Sequence, residues 1–351
     1  MGIQSSSFGA LLSGRPVTCY TITNASGAFV EILNYGGIIR KWCTPDSDGK
    51  PVDIVLGFDS ILDYQKDVSY QGALIGRVGN RIAGGQLPYQ GSIIQLDQND
   101  GRNALHGGYD GYHRKVWNAE VDSNHNRLVL HHTSLDGEEN YPGRVNVTVT
   151  YTLSDDNELR IDYHATTDKE TYINMTNHVY FNLGGAGHDT IADHIAQFNA
   201  DHYAVSNSEC LVTGEIADVS GTPMDYRQGK AFADAFTSAA NFEQLSFFGG
   251  IDHSFVINQP SLENICCTVT EPKSGRVLSV RTDQPALHVY TGNNMPESMD
   301  GKDGKTYPRR SAFCLETQHL PDAPHHDHFD SIALKPGETY QTSTIYQLRS
   351  K

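Results

Sequence analysis

The sequence predicts a mainly β fold of the sandwich or barrel kind, and three observations predict it. Hydrophobic and polar residues alternate with period two wherever a pattern is visible, helical periodicity is confined to short stretches, and turn signals recur about every 8–12 residues along the whole length. Alternating βα units would separate the strands by longer helical patterns instead.

In chain order, FVEILNYGGIIRKWCTP from Phe29 and PVDIVLGF from Pro51 are β-rich runs, and Asp48 with Gly49 between them is a hairpin signal. DSDG also resembles a fragment of an EF-hand loop, but the other ligands and the closing Glu do not follow, so the turn is favoured. SILDYQKD from Ser60 reads as a short helix. NRLVLHHTSL from Asn126 alternates, which puts one of His131 and His132 toward solvent. In VNVTVTYTL, Val145, Val147, Val149 and Tyr151 share one face, and Asn146, Thr148, Thr150 and Thr152 the other, as in an antiparallel sheet with unlike faces. Asp155, Asp156 and Asn157 then turn the chain into ELRIDYHATT. GKAFADAFTSAANFEQL from Gly229 is a second helical stretch, and PESMDGKDGKTYPRR, residues 296–310, reads as a long surface loop. Neither a repeat nor a low-complexity linker divides the chain, so residues 1–351 are expected to form a single domain.

Composition narrows the function. Acidic residues outnumber basic ones by 42 to 26, giving a net charge of −16, and no basic run offers a footprint for phosphate backbones, which speaks against nucleic acid. No apolar stretch approaches the ~20 residues of a membrane span, and the N-terminal residues lack the pattern of an export signal. MGIQSS, with Gly2 and Ser6, fits a loose myristoylation pattern but has no second anchoring signal beside it. The sequons at Asn24, Asn146 and Asn174 are read as strand and turn residues. Cys19, Cys43, Cys210, Cys266, Cys267 and Cys314 show no C-x-x-C spacing and are expected to be reduced thiols in the cytoplasm.

Several segments break the alternation by gathering Gly with His, Arg, Asn or Glu, and such departures from local rules mark candidate sites. None carries a dinucleotide, P-loop or nucleophile-elbow pattern. What is left is imidazoles, carboxylates and hydrogen-bonding side chains, the equipment for moving protons on a polar neutral substrate. The densest histidine group, His319, His325, His326 and His328 with Asp322 and Asp327, fits no usual zinc spacing and reads as a solvated loop. His106 is followed by Gly107 and Gly108, which would let a ligand come close to the backbone. Glu316, in FCLETQ, sits among apolar residues, and His178, in TNHVYFNL, is either a core histidine or a catalytic acid. Spacing alone does not bring the two together.

Taken together, these segments resemble the aldose 1-epimerases, the galactose mutarotases. The likeness runs from NYGGIIRKW at Asn34 through VLGFD, GRVGNRIAGG, LHGG, TNHVYFNL, GIDHSF, YTGN and CLETQHLPDAP to LKPGETY at Leu334, nearly the whole chain. The resemblance implies a large antiparallel β-sandwich with few short helices, and an enzyme interconverting the α and β anomers of free aldohexoses such as galactose and glucose. Opening a pyranose needs a proton removed from the C1 hydroxyl and one delivered to the ring oxygen, so a base and an acid on opposite sides of the anomeric centre suffice. Metal, cofactor and covalent intermediate are not required. Carried over by motif, the resemblance makes Glu316 the base and His178 the acid, with His106 assisting, and sets Asn80, Arg81 and Asp252 on the sugar hydroxyls. His288 stands where many relatives have Gln, leaving a donor or acceptor for the substrate. Ala312 and Asp330 stand where Gly and Pro are frequent, changes of loop shape that remove no catalytic group.

Two enzymatic alternatives and one non-catalytic alternative compete. A carbohydrate-binding sandwich would need only Arg81, Asp252 and aromatic surfaces, and would leave Glu316 and His178 unexplained. A glycosidase using Glu316 with Asp252 leaves His178 without a role. A hexose-phosphate 1-epimerase would want clustered cations, and Arg309 with Arg310 is the one adjacent pair of arginines. The expected partner is therefore a small sugar, for a protein that is a monomer or homodimer.

Overall fold

The structure is a computed structural model and describes residues 2–45 and 50–350. Three antiparallel sheets dominate it. The first is a meander of five strands, Gly2–Ala10, Pro16–Thr23, Phe29–Leu33, Ile39–Pro45 and Pro51–Asp53. The hairpin turn expected at Asp48 and Gly49 lies outside the described residues, and the strands on either side of it pair as a hairpin requires. The second sheet has nine strands, in which the last strand of the chain, Tyr340–Ser350, is inserted between Glu158–Thr167 and Arg276–Thr282. The third runs in the order Val212–Asp218, His202–Ser206, Asp252–Val256, Ala286–Tyr290, Cys314–Gln318. The helices are short, at Ile61–Lys66, Phe232–Ser238 and Glu243–Phe248. Among the described residues no helix is long and apolar enough to cross a membrane.

The alternation read from the sequence is the alternation of burial. Val145, Val147, Val149 and Tyr151 are buried, while Asn146 on the other face is exposed. His132 packs against the rings of Tyr112 and Trp117, and His131 is the outward one of the pair. One core cluster runs from Ile32 and Trp42 of the first sheet through Tyr151 and Tyr346 of the second to Phe255, Val289 and Leu315 of the third. Each large side chain in it is worth roughly 1.5–3 kcal/mol of burial.

That packing orients the strand Cys314–Gln318. Leu315 and Thr317 face the core, where the Tyr346 hydroxyl donates to the Leu315 carbonyl at 2.8 Å and Thr317 meets the Thr344 hydroxyl at 2.5 Å. Alternation then turns Cys314 and Glu316 to the opposite face.

Two segments differ from their expected form. Residues 296–310 are pinned into the fold: Lys302 is 1% exposed and donates to the Asp53 carboxylate at 2.7 Å, the Val55 carbonyl at 2.8 Å and the Arg40 carbonyl. The histidine-rich loop is likewise anchored, because Asp322 is buried, accepts the Ala83 N–H at 3.0 Å and holds His325 Nδ1 at 2.6 Å. Polarity read as solvation is in both cases polarity satisfied inside the protein.

Candidate active site

Register builds one wall of the site. Ser254, His288 and Glu316 lie directly opposite one another across three strands, and Asp252, Tyr290 and Cys314 form the next row on the same face. Along each strand the two rows are two residues apart, the spacing that returns a side chain to the same face. The wall therefore carries two carboxylates, an imidazole, a phenol, a hydroxyl and a thiol.

The second wall holds Asn80, Arg81 and His106. The Asn80 carbonyl accepts the His106 N–H at 3.0 Å, and the Asn80 N–H donates to His106 Nδ1 at 3.1 Å. With Nδ1 accepting, the ring proton sits on Nε2, and burial pushes the His106 imidazole well below its ordinary range. His106 is thus a neutral N–H donor. Asn80, His106 and the neighbouring Tyr70 all have left-handed backbones, with φ of 60°, 52° and 59°. Such conformations gather where a side chain must be held at a set angle. Gly107 and Gly108 serve the backbone rather than a ligand: a Cβ on Gly107 would lie 2.0 Å from the Gly76 carbonyl oxygen, and one on Gly108 the same distance from the Glu139 carboxylate.

His178 closes the third side. Its backbone pairs with residues 72 and 73, and its ring lies near parallel to those of Tyr180 at 5.1 Å and Tyr70 at 6.0 Å, and edge-on to His106 at 5.3 Å. Nδ1 faces the Cys314 thiol at 3.5 Å, and Nε2 faces Glu316 Oε1 at 3.6 Å. Glu316 is 1% exposed, and its Oε2 has no hydrogen-bond partner. Glu316 and His178, the base and acid expected from the sequence, thus stand side by side at one end of the wall of strands.

Asp252 accepts from His288 Nε2 at 2.9 Å and from the Cys210 thiol at 3.8 Å. Burial would raise its carboxyl, but the His288 hydrogen bond and charge, with Arg81 nearby, hold it below the usual carboxylate value. His288 Nδ1 meets the Ser254 hydroxyl at 2.9 Å. Both ring nitrogens of His288 are therefore committed to protein partners, and the spare donor or acceptor expected of it is engaged. The Arg81 Nε donates to Asp100 at 2.7 Å.

These walls enclose a cleft of about 290 Å³, rimmed by Val68, Met295, Pro296 and Met299. All seven site residues expected from the sequence line it. Sequence reasoning missed Tyr70, Ser254 and the rim methionines. Ser254, two residues after Asp252 in a quoted motif, was available from period two; Tyr70 had no signal beyond its own identity. Among the described residues, the one grouping that gathers metal-ligating atoms is His106, His178 and Glu316, within 4.8 Å of one another. A proton on His106 Nε2 opposes ligation there.

A β-sandwich whose cleft joins a buried carboxylate to two imidazoles is equipped for acid–base chemistry. Comparison with known proteins names the kind. Residues 18–347 match the family model described as aldose 1-epimerase. A galactose mutarotase of Sus scrofa is 38% identical over 346 residues, covering 99% of this chain and 98% of that protein. One of Bos taurus is 40% identical over 318 residues, covering 91% and 90%. The crystal structure of a GalM/aldose epimerase homologue from C. elegans superposes with a TM-score of 0.87 at 30% identity, covering 99% of each chain. The chain belongs to the aldose 1-epimerase family, isomerases acting on carbohydrates.

Proposed function

We propose that Glu316 and His178 interconvert the α and β anomers of free aldohexoses such as galactose and glucose. Glu316 accepts the proton of the C1 hydroxyl. The O–H electron pair becomes the C1=O double bond, the C1–O5 bond breaks, and O5 takes a proton from His178 Nε2. Rotation about C1–C2 presents the other face of the aldehyde, and the reverse transfers close the ring. His106, donating from Nε2, steadies the oxygen that gains charge. Asn80, Arg81 and Asp252 hold the remaining hydroxyls, and His288 acts through Asp252.

The observation that carries this reading is Glu316 Oε2, a buried carboxylate oxygen without a protein partner, on a group whose other oxygen lies 3.6 Å from His178 Nε2. A buried acceptor left open is costly unless a ligand satisfies it. A phosphorylated sugar is disfavoured: Arg309 donates to the Asn293 carbonyl and Arg310 to the Gly249 carbonyl, and among the described residues Arg81 is the one Arg or Lys lining the cleft. The reading includes a single domain over residues 1–351, a cytoplasmic location supported by six free thiols, and a monomer or homodimer with neither nucleic acid nor membrane as partner.

Polarimetry of freshly dissolved α-D-galactose and α-D-glucose tests it. The protein speeds the approach to an unchanged final rotation, and Glu316→Gln, which keeps size and hydrogen bonding, loses about 10²–10⁴-fold in turnover. A variant within tenfold of the native enzyme would remove Glu316 from the mechanism.

A further inference from the structure

His288 stands at the centre of the wall of strands with its two ring nitrogens pointed at groups of different kinds. On Nε2 the partner is the Asp252 carboxylate, an acceptor only, so Nε2 carries a proton in every state. On Nδ1 the partner is the Ser254 hydroxyl, which both donates and accepts. The ring can therefore hold one proton or two without moving: with two, Nδ1–H donates to Ser254; with one, the hydroxyl rotates and donates to Nδ1. What changes is charge. The groups facing the ring are Asp252 and Ser254 on its own sheet's next strand, Glu316 directly across the other neighbouring strand, and Asn80 with Arg81 from the opposing wall, Asn80 Nδ2 lying 3.5 Å from Nε2. His253 faces the other side of its strand, is buried and is neutral, its Nδ1 accepting the Asp252 N–H. His106 is neutral as well. Two carboxylates thus flank His288 against one guanidinium.

We propose that His288 is a positioning residue that works as an imidazolium clamp on Asp252, so that loss of its second proton weakens sugar binding rather than turnover. This rests on the reading of Asp252 as a holder of sugar hydroxyls. In the doubly protonated state the bond to Asp252 is charged at both ends and fixes the carboxylate, leaving Oδ2 for the substrate beside the weak Cys210 contact at 3.8 Å. In the singly protonated state the bond weakens, and the Asp252 and Glu316 charges face each other with no cation between them. Asp252 lies one row away from Glu316 and touches neither of the reacting oxygens in this scheme, so its hold is felt alike in ground and transition states.

The sign follows from the surroundings. Burial works against the charged ring, and the Asp252 hydrogen bond with the Glu316 and Asp252 charges outweighs it, raising His288 above its ordinary 6.5. The clamp is complete at about pH 6 and released as pH rises through the raised value.

The test is KM and kcat for α-D-galactose and α-D-glucose from about pH 6 to about pH 9, with the uncatalysed rate subtracted at each pH, for the native enzyme and His288→Gln. Gln keeps one donor on Asp252 and cannot titrate. Native KM rises about tenfold across the range, as the bond to Asp252 passes from one charged at both ends to one charged at the carboxylate alone, while kcat follows a separate profile. KM of His288→Gln starts high and stays flat. A flat native KM overturns the clamp without reference to the variant, and so does a variant whose KM rises as the native one does. Failure to accelerate anomer interconversion at any pH overturns instead the reading of the site on which the clamp rests.

Discussion

Replacing Lys302 by Met isolates what holds the strap over the cleft. The ammonium has three N–H groups and three acceptors, the Asp53 carboxylate and the carbonyls of Val55 and Arg40, and its side chain is 1% exposed against 9% for Asp53. Burial pulls the ammonium below its usual range, and Asp53 opposes that pull. Met fills the same channel but leaves a buried carboxylate oxygen and two carbonyls without donors. Removing one partner of a buried pair costs about 3–5 kcal/mol, a large share of a total stability of about 5–15 kcal/mol. Adding Asp53→Asn removes the uncompensated charge, so the double variant is more stable than the sum of the two single losses predicts. Urea unfolding followed by tryptophan fluorescence reads this directly, since Trp42 is buried and its backbone N–H donates to Asp53. Pro296 and Met299 of the same segment line the cleft, so KM for the sugar rises alongside. A loss under about 1 kcal/mol, or additive losses in the double variant, would refute the anchoring role.

Two further outcomes follow from the geometry. Gly107→Ala, at φ 82° and 2.0 Å from the Gly76 carbonyl oxygen, destabilises by more than about 3 kcal/mol, whereas Gly91→Ala, at a similar φ of 77° with open space around it, costs only about 1 kcal/mol; equal costs would show that backbone strain rather than contact decides. Because Asp252 is held below its ordinary carboxyl value of 3.8, its contribution to stability is complete above that value and lost as pH falls through the depressed one. The stability difference between native protein and Asp252→Asn is accordingly constant from about pH 6 to about pH 5 and shrinks only below about pH 4; shrinkage already at about pH 6 would contradict it.

Much of this was legible from residues alone, for reasons that can be named. Period two put Val145, Val147, Val149 and Tyr151 on one face, and that face is buried. Motif resemblance supplied the seven site residues, and all seven line one cleft. What local pattern could not carry was long-range satisfaction of polar groups. PESMDGKDGKTYPRR reads as solvated because its one buried lysine has its partners near residues 40, 53 and 55, about 250 positions away. The histidine-rich loop reads as solvated for the same reason, its Asp322 being tied to Ala83. Gly107 reads as room for a ligand because sequence does not reveal that the Gly76 backbone fills the space. Nor does the sequence show that the two nitrogens of His288 meet Asp252 and Ser254.

The central claim is that Glu316 and His178 act as one proton-transfer unit. Exchange between the α and β anomers of [1-¹³C]galactose at equilibrium, measured by NMR magnetisation transfer, tests it with the native enzyme, Glu316→Gln, His178→Asn and the double variant. The account predicts that each single change slows enzyme-dependent exchange by about 10²-fold or more, and that the double variant is no slower than the slower single one, because a ring opened by a matched pair stalls when either member is gone. Losses that multiply in the double variant, or a single variant that still exchanges at the native rate, would contradict it.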